Sequence, residues 1–177
     1  MLTDYVVIDL EMTGLNAKTD RILEAGAARV RGNVVTAAFS EIINPKRELS
    51  EKVISLTGIT NEMAVQGKEM DATLMAFLDF IGEDILVGQN VIFDYSFLKQ
   101  WAVNHKRTFE RNAVDTLKLA RKFLPQEQKK DLASLCSYFG IERVHAHRAL
   151  DDVMETQQIF EQLQKMYALV NKIHEGQ

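Results

Sequence analysis

Apolar runs predict β-strands in the first part of the chain. Residues 5–10 are rich in β-branched and aromatic side chains, which favour strands. Two longer runs, at residues 22–30 and 34–44, flank residues 31–33 (Arg-Gly-Asn), a sequence typical of a tight turn. The pattern therefore predicts a three-stranded meander that ends before Pro45.

Beyond that point the apolar spacing becomes helical and alternates with short apolar runs. Ser50 and Gly58 have the positions of an N-cap and a C-terminal stop for a first helix. Asp71 and Gly82 have the same positions for a second helix. Short strands are predicted at residues 85–88 and 112–114, and helices at residues 94–105, 116–123, 131–139 and 149–173. This alternation indicates an α/β fold with a mixed sheet, and residues 1–177 are expected to form one domain.

Two carboxylates interrupt the first predicted strand. Because side chains alternate along a strand, Asp9 and Glu11 share one face while Ile8 and Leu10 share the other. Two like charges at neighbouring positions repel each other unless a cation lies between them. The alternative is a strand end that turns into solvent at Thr13, since a carboxylate pair at a strand end is only moderately specific.

The last predicted helix distinguishes two adjacent aspartates. At about 100° per residue, one apolar stripe is formed by Ala149, Val153, Phe160, Leu163 and Tyr167. Asp151 and Glu155 fall on the opposite, polar face, whereas Asp152 lies at the edge of the stripe and is turned toward the sheet. A carboxylate aimed at the core needs a partner or a metal. Asp152 is therefore the functional candidate, and Asp151 is predicted to face water.

Four acidic side chains can converge from one strand and two helices: Asp9, Glu11, Asp94 and Asp152. Taken alone, Asp94 fits a helix N-cap. Oxygen ligands suit Mg²⁺ or Mn²⁺ rather than zinc, and a site of this kind can hold two ions. His147 lies just before the helix that carries Asp152, where it could act as a general base toward a bound water. A lone histidine is usually structural, so this role depends on its position relative to Asp152.

Composition narrows the function classes. The net charge is −4 and the pI is about 5.6, which argues against tight, non-specific binding of duplex by counterion release. Metal ions at the site would supply the missing positive charge. Cys136 is the one cysteine, so an internal disulfide is excluded and a reducing cytoplasm is expected. No apolar stretch approaches the roughly 20 residues of a membrane span, and the N-terminus does not resemble a signal peptide.

Three motifs occur along the chain in this order: Asp9-Leu10-Glu11-Met12-Thr13-Gly14, Gly88-Gln89-Asn90-Val91-Ile92-Phe93-Asp94 and His147-Arg148-Ala149-Leu150-Asp151-Asp152. In the third motif His147 stands five positions before Asp152, and His145 does not fit that register. Together the motifs resemble the DEDDh branch of the DnaQ-like 3′→5′ exonucleases, and within it the proofreading exonucleases of bacterial DNA polymerase III.

The resemblance implies a ribonuclease H-like fold, with a five-stranded mixed sheet flanked by helices. It implies that Asp9, Glu11, Asp94 and Asp152 hold two Mg²⁺ ions, that Mn²⁺ can replace them, and that His147 is the general base. The implied reaction removes nucleoside 5′-monophosphates from the 3′ ends of single-stranded nucleic acid, with DNA favoured. The residues expected to contact the substrate are Leu10, Met12, Thr13, Asn90 and Phe93.

Several alternatives stay open at this stage. An exoribonuclease shares the same five catalytic residues, a non-catalytic binding module could keep the fold, and an endonuclease is disfavoured by the resemblance alone. Many relatives carry a histidine where this chain has Gln89, which puts substrate preference in doubt. The resemblance makes a DNA polymerase an expected partner. However, the chain stops soon after the last catalytic helix, so a stand-alone repair or processing nuclease and an excised domain are alternative expectations.

Overall fold

A five-stranded mixed sheet with helices on both faces forms the centre of the fold. The structure is a computed structural model that describes residues 1–143 and 147–175, with side chains described up to residue 169. The strands are β1 (Tyr5–Met12), β2 (Ile22–Arg31), β3 (Val34–Ile42), β4 (Leu86–Gly88) and β5 (Ala113–Asp115). The helices are α1 (Glu51–Thr57), α2 (Asn61–Gln66), α3 (Met70–Ile81), α4 (Ile92–Asn104), α5 (Thr116–Phe123), α6 (Leu132–Phe139) and α7 (Ala149–Glu175).

The strand order is β3-β2-β1-β4-β5. Strands β1, β2 and β3 form the predicted antiparallel meander, while β4 and β5 run parallel to β1. The predicted mixed sheet is therefore confirmed. Strand β1 lies at its centre, and it extends past the end of β4.

The two faces of the sheet are covered by different helices. Ile8 on one face belongs to the cluster that contains Phe77 of α3 and Leu98 of α4. Tyr5 on the other face packs edge-on against Phe160 of α7, with ring centroids 5.0 Å apart. Because residues alternate along β1, its odd-numbered side chains all face α7. The long last helix therefore lies over the face that carries the first pair of candidate carboxylates.

The helix boundaries confirm some sequence signals and correct others. The Ser50 hydroxyl accepts from a backbone N–H of α1, as predicted. Helix α2, capped by Thr60, was missed because its six residues are too short for an apolar period. The prediction that Asp71 caps α3 is wrong, since Glu69 is the cap and accepts from the Ala72 N–H at 2.8 Å. The Asp71 carboxylate instead accepts a 2.9 Å hydrogen bond from the Trp101 indole.

Across the part of the chain that the structure describes, no helix has the length and apolar character needed to cross a membrane.

Candidate active site

Strand β1 presents its two carboxylates to the face beneath α7. Asp9 stands opposite Gly26 of β2, and Glu11 stands opposite Glu24. Asp9 is partly exposed and Glu11 is 9% exposed. The predicted sharing of one face is confirmed. The alternative of a strand end turned fully into solvent does not hold, because β1 continues in its pairing with β2 up to Met12.

Asp94 reaches the same place from the end of β4. Because β1 extends past β4, the backbone N–H of Leu10 has no strand partner on that side, and it donates to Asp94 Oδ1 at 2.8 Å. Asp94 is 5% exposed. The N-cap prediction is wrong, since α4 begins at Ile92 and its cap residue, Val91, makes no side-chain cap bond. Asp94 lies in the first turn of the helix.

A tight turn between β4 and α4 moves the helix start forward. Asn90 has a left-handed backbone with φ of 56°, and its N–H donates to Asp115 Oδ1 at 3.0 Å. A Cβ at Gly88 would lie 2.7 Å from the Val91 side chain and 3.1 Å from the carbonyl oxygen of Ile8. Glycine therefore lets this turn pass close to β1, and the turn brings Asp94 to the central strand.

Asp152 is delivered by the start of α7, which lies against β2. Asp152 is 6% exposed while its neighbour Asp151 is partly exposed, so the predicted orientation of the pair is confirmed. A Cβ on Gly26 would lie 2.6 Å from the Ala149 carbonyl carbon and 2.8 Å from the Leu150 nitrogen. These are backbone atoms, which cannot move aside as a flexible side chain can. The hydrogen atom of Gly26 is thus what permits the helix start to lie beside Asp9.

Gly26→Ala is expected to destabilise the protein by about 1–3 kcal/mol and to lower activity, because the new methyl group pushes α7 away from β2. Urea unfolding and a nuclease assay would measure both effects. Gly32→Ala is the control. Its Cβ would meet nothing within 4 Å, so it costs stability through its φ of 57° alone and leaves activity intact. Equal activity of the two variants would contradict this role of Gly26.

Three potential metal ligands lie close together on the face of the sheet that α7 covers. Glu11, His147 and Asp152 each offer one ligand atom, and these atoms all lie within 4.8 Å of one another. His147 has a left-handed backbone, with φ of 60°, just before α7. The structure therefore brings His147 and Asp152 together as predicted. His145 lies outside the described residues.

Burial and the repulsion between neighbouring carboxylates raise the pKa values of the carboxylates in this cluster. Burial raises the pKa of Asp9 well above its usual range, and the nearby charges of Asp94, Glu11 and Asp152 raise it further. Burial, followed by repulsion from Asp152, raises the pKa of Glu11 to about 8. Burial raises the pKa of Asp94 to about 7, against the lowering effect of the hydrogen bond from Leu10. The surrounding side chains therefore do not supply enough positive charge to keep Asp9, Glu11 and Asp94 all ionised.

This donor set fits a divalent metal ion. Buried carboxylates need a cation to remain ionised, and hard oxygen donors with one imidazole suit Mg²⁺ or Mn²⁺. A bound cation would lower the raised pKa values of Asp9 and Glu11 and so keep both carboxylates ionised.

Arg143 is a neighbour of the cluster that the sequence pattern does not reveal. Its guanidinium donates to Asp152 Oδ1 at 2.9 Å and to Glu155 Oε2 at 2.7 Å. Glu155 was predicted to lie on the polar face of α7, and this is wrong, since it is 3% exposed. Helix α6 covers that face, where Cys136 Sγ lies 3.6 Å from Glu155 Oε2. Arg143 thus ties Asp152 to a second buried carboxylate.

Glu24 and Arg148 form a second ion pair that sequence reasoning missed. Glu24 is 1% exposed and accepts three hydrogen bonds from the Arg148 guanidinium, the shortest at 3.0 Å. It also accepts from the Ala149 N–H at the start of α7. The pair fastens that helix to β2 beside Glu11. The one available signal was a glutamate inside the apolar run of β2.

The residues predicted to contact substrate differ in how much of their side chains is exposed to solvent. The Leu10 side chain is 4% exposed in the core, so it has almost no surface to offer a nucleotide. Met12, Thr13 and Phe93 are partly exposed. Thr13 Oγ1 accepts from the Arg21 N–H at 2.9 Å, which fixes the loop after β1. Asn90 is also partly exposed.

Comparison with known proteins gives the family. A family model described as exonuclease matches residues 6–160. The chain belongs to the exonuclease family. Exonucleases of this family depend on divalent metal ions, in agreement with the acidic cluster. The predicted resemblance is confirmed, as is the prediction that the protein is a 3′→5′ exonuclease related to the DNA polymerase III epsilon subunit.

Relatives and solved structures agree with this membership. The exonuclease is 37% identical to the DNA polymerase III subunit epsilon of Aquifex aeolicus over 157 residues, 88% of this chain and 78% of that protein. It is 38% identical to the PolC-type DNA polymerase III of Bacillus subtilis. That match covers 86% of this chain and 11% of the polymerase. A zinc-bound complex of E. coli exonuclease I with single-stranded DNA matches with a TM-score of 0.78 at 18% identity, over 97% of this chain and 43% of the other. The predicted ribonuclease H-like fold is confirmed.

Proposed function

We propose that this exonuclease shortens single-stranded DNA from its 3′ end, releasing nucleoside 5′-monophosphates with the help of two Mg²⁺ ions that Mn²⁺ can replace. The observation that supports this most directly is the convergence of Glu11, His147 and Asp152 within 4.8 Å. Asp9 and Asp94 complete the acidic set from β1 and α4. Residues 1–177 are proposed to act as one exonuclease domain.

In this proposal Asp9, Glu11, Asp94 and Asp152 would hold the ions, and Asp9 is central to this set because the charges of four carboxylates, Asp94, Glu11, Asp152 and Glu24, act on it. When bound, the ions supply positive charge that activates water and stabilises the charge developing on the phosphoryl group and the leaving oxygen. Arg143 and the Leu10 N–H orient Asp152 and Asp94 through one oxygen of each carboxylate.

His147 accepts a proton from the attacking water as its oxygen bonds to the terminal phosphorus. The bond from phosphorus to the 3′-oxygen of the preceding nucleotide breaks, and that oxygen takes up a proton from solvent water. Met12, Thr13 and Phe93 line the space for the terminal nucleotide. An unpaired end can enter this space without the free-energy cost of unpairing, which favours a single strand.

Related proteins support the choice of substrate. The exonuclease I complex contains single-stranded DNA, and the Aquifex relative is a subunit of DNA polymerase III. We therefore propose DNA ends as substrate, a DNA polymerase as partner and the cytoplasm as location. An exoribonuclease of the same family is the second candidate, because it would use the same five residues: Asp9, Glu11, Asp94, His147 and Asp152.

Matched DNA and RNA single strands labelled at the 5′ end would test the proposal, in Mg²⁺ and in EDTA. We expect a metal-dependent ladder that shortens from the 3′ end of DNA, and its loss in Asp152→Ala. Faster shortening of RNA would replace the DNA assignment with the exoribonuclease. Cleavage inside the strand would indicate an endonuclease, and binding without cleavage in Mg²⁺ or Mn²⁺ would leave a binding module.

A further inference from the structure

A groove of about 480 Å³ opens beside the turn between β4 and α4. It shares Asn90 with the residues predicted to contact the terminal nucleotide, but none of the four candidate metal ligands lines it. A phosphate bound in this groove is therefore not the phosphate that reacts. The lining residues are Gln89, Asn90, Leu117, Arg121, Gln128, Lys130, Asp131 and Leu132.

The groove offers polar groups that have no other partner. Within the described residues, neither the Arg121 guanidinium nor the Asn90 side-chain amide makes a hydrogen bond or ion pair. A guanidinium carries five donors and suits the geometry of phosphate. The side-chain amide of Asn90 can both donate to a phosphate oxygen and accept from a sugar hydroxyl. The neutral Asn90 amide and the cationic Arg121 guanidinium thus line the same groove.

The other charged groups around the groove leave it cationic. The Lys130 ammonium donates to the Glu127 carbonyl, which is a neutral acceptor. The one carboxylate that lines the groove, Asp131, accepts from the N–H and the hydroxyl of Ser134, both at 2.9 Å, as the cap of α6. Two cations thus face a single carboxylate that is engaged by its own helix.

The groove is joined rigidly to the catalytic turn. Gln89 Nε2 donates to the Lys130 carbonyl at 2.7 Å, and Gln89 Oε1 accepts from the Thr116 hydroxyl at 2.5 Å. Asn90 is held by its bond to Asp115, the cap of α5. Asp94 lies four positions after Asn90, in the first turn of α4. A strand that enters the site past Asn90 therefore meets Arg121 at a fixed place.

We infer that this groove binds the sugar–phosphate backbone of the substrate strand upstream of its 3′-terminal nucleotide, with Arg121 contacting one phosphate and Asn90 marking the entry to the site. The inference rests on the proposed function, because it needs a strand whose end lies at the metal ligands. It assigns to α5 and the segment before α6 a role in holding longer substrates.

A comparison of two substrates tests the groove. One is a 5′-labelled single-stranded oligonucleotide, and the other is the 4-nitrophenyl ester of thymidine 5′-monophosphate, which has no upstream phosphate. Arg121→Ala is expected to raise KM for the oligonucleotide roughly tenfold. The slope of log kcat/KM against log salt should fall by about 0.7. The rate on the ester should not change.

Lys122→Ala is the matched control, because it removes the same charge from the next position of α5. Lys122 lines a separate apolar groove with Phe160, and its Nζ lies 5.5 Å from the centroid of the Phe123 ring. It should leave both substrates and the salt slope unchanged. Equal losses in the two variants would indicate general electrostatics, and no loss in Arg121→Ala would exclude the contact. Either result overturns the inference.

Failure of the proposed function gives a different pattern. If the wild type cleaves neither substrate, the equilibrium Kd of a fluorescent single strand still tests the groove in both variants. Weaker binding in Arg121→Ala alone would support the groove as a strand-binding site without hydrolysis, and unchanged binding would remove it.

Discussion

Asp9→Asn is expected to lower kcat by at least about 10³-fold on single-stranded DNA while the protein remains folded. Asparagine has nearly the shape of aspartate, so the packing of β1 against β2 at Gly26 is preserved. What is lost is the negative charge at the centre of the cluster, toward which the charges of Asp94, Glu11, Asp152 and Glu24 are all directed. A site that binds cations through charge cannot hold them as well with a neutral amide at its centre.

Single-turnover kinetics with saturating enzyme would measure this loss separately from substrate binding. Asp79→Asn is the control, since Asp79 is an exposed carboxylate on α3, on the other side of the sheet. It changes the net charge by the same amount and should retain full activity. A rate within tenfold of wild type for Asp9→Asn at saturating Mg²⁺ would show that Asp9 is not needed to hold the ions.

The orientation of the carboxylates could be predicted where it depends on a short repeat. Alternation along a strand places Asp9 and Glu11 on one face of β1, and the helical period turns Asp152 inward and Asp151 outward. Both repeats act over a few residues, so the sequence contains them directly. The burial of Cys136, at 1% exposure, was readable from its apolar neighbours for the same reason.

Predictions failed where a backbone turn decides the outcome. The start of α4 depends on the positive φ of Asn90 and on the close passage of Gly88 over β1. Neither is visible in the helical spacing, so Asp94 resembled an N-cap. The motif that includes Asp94 placed it in the site through resemblance, although its local pattern favoured another role.

Long-range ion pairs could not be predicted at all. Glu24 and Arg148 are 124 residues apart in the chain, and they meet only because α7 returns across β2. Glu155 looked solvent-facing because its own helix has one apolar stripe, yet α6 supplies a second covered face. Arg143, which neutralises Glu155 and binds Asp152, follows from that packing. The orientation of the catalytic carboxylates thus follows partly from local sequence patterns. The ion pairs that hold them in place depend on tertiary packing.

Divalent metal ions are expected to raise Tm by about 5–10 °C near pH 8.5, at roughly 100 times their Kd, and by much less near pH 5.5. The reason is the raised pKa of the buried carboxylates, with Glu11 at about 8 and Asp94 at about 7. In the unfolded chain these groups ionise near pH 4. Without metal, the stability that their protonation allows is fully present below about pH 4 and is lost as the pH rises through 7 and 8.

A bound cation reverses this loss, because it stabilises the ionised carboxylates that high pH produces. Glu11→Gln separates this cause from general metal effects. Without metal, the variant should be more stable than wild type near pH 8.5, since it no longer ionises a buried group with a pKa of about 8. It should also lose most of the Mg²⁺-dependent shift. Thermal unfolding in Mg²⁺ and in EDTA at the two pH values measures all of these quantities. A wild-type Tm that does not respond to Mg²⁺ or Mn²⁺ at either pH would mean that the cluster is not a metal site.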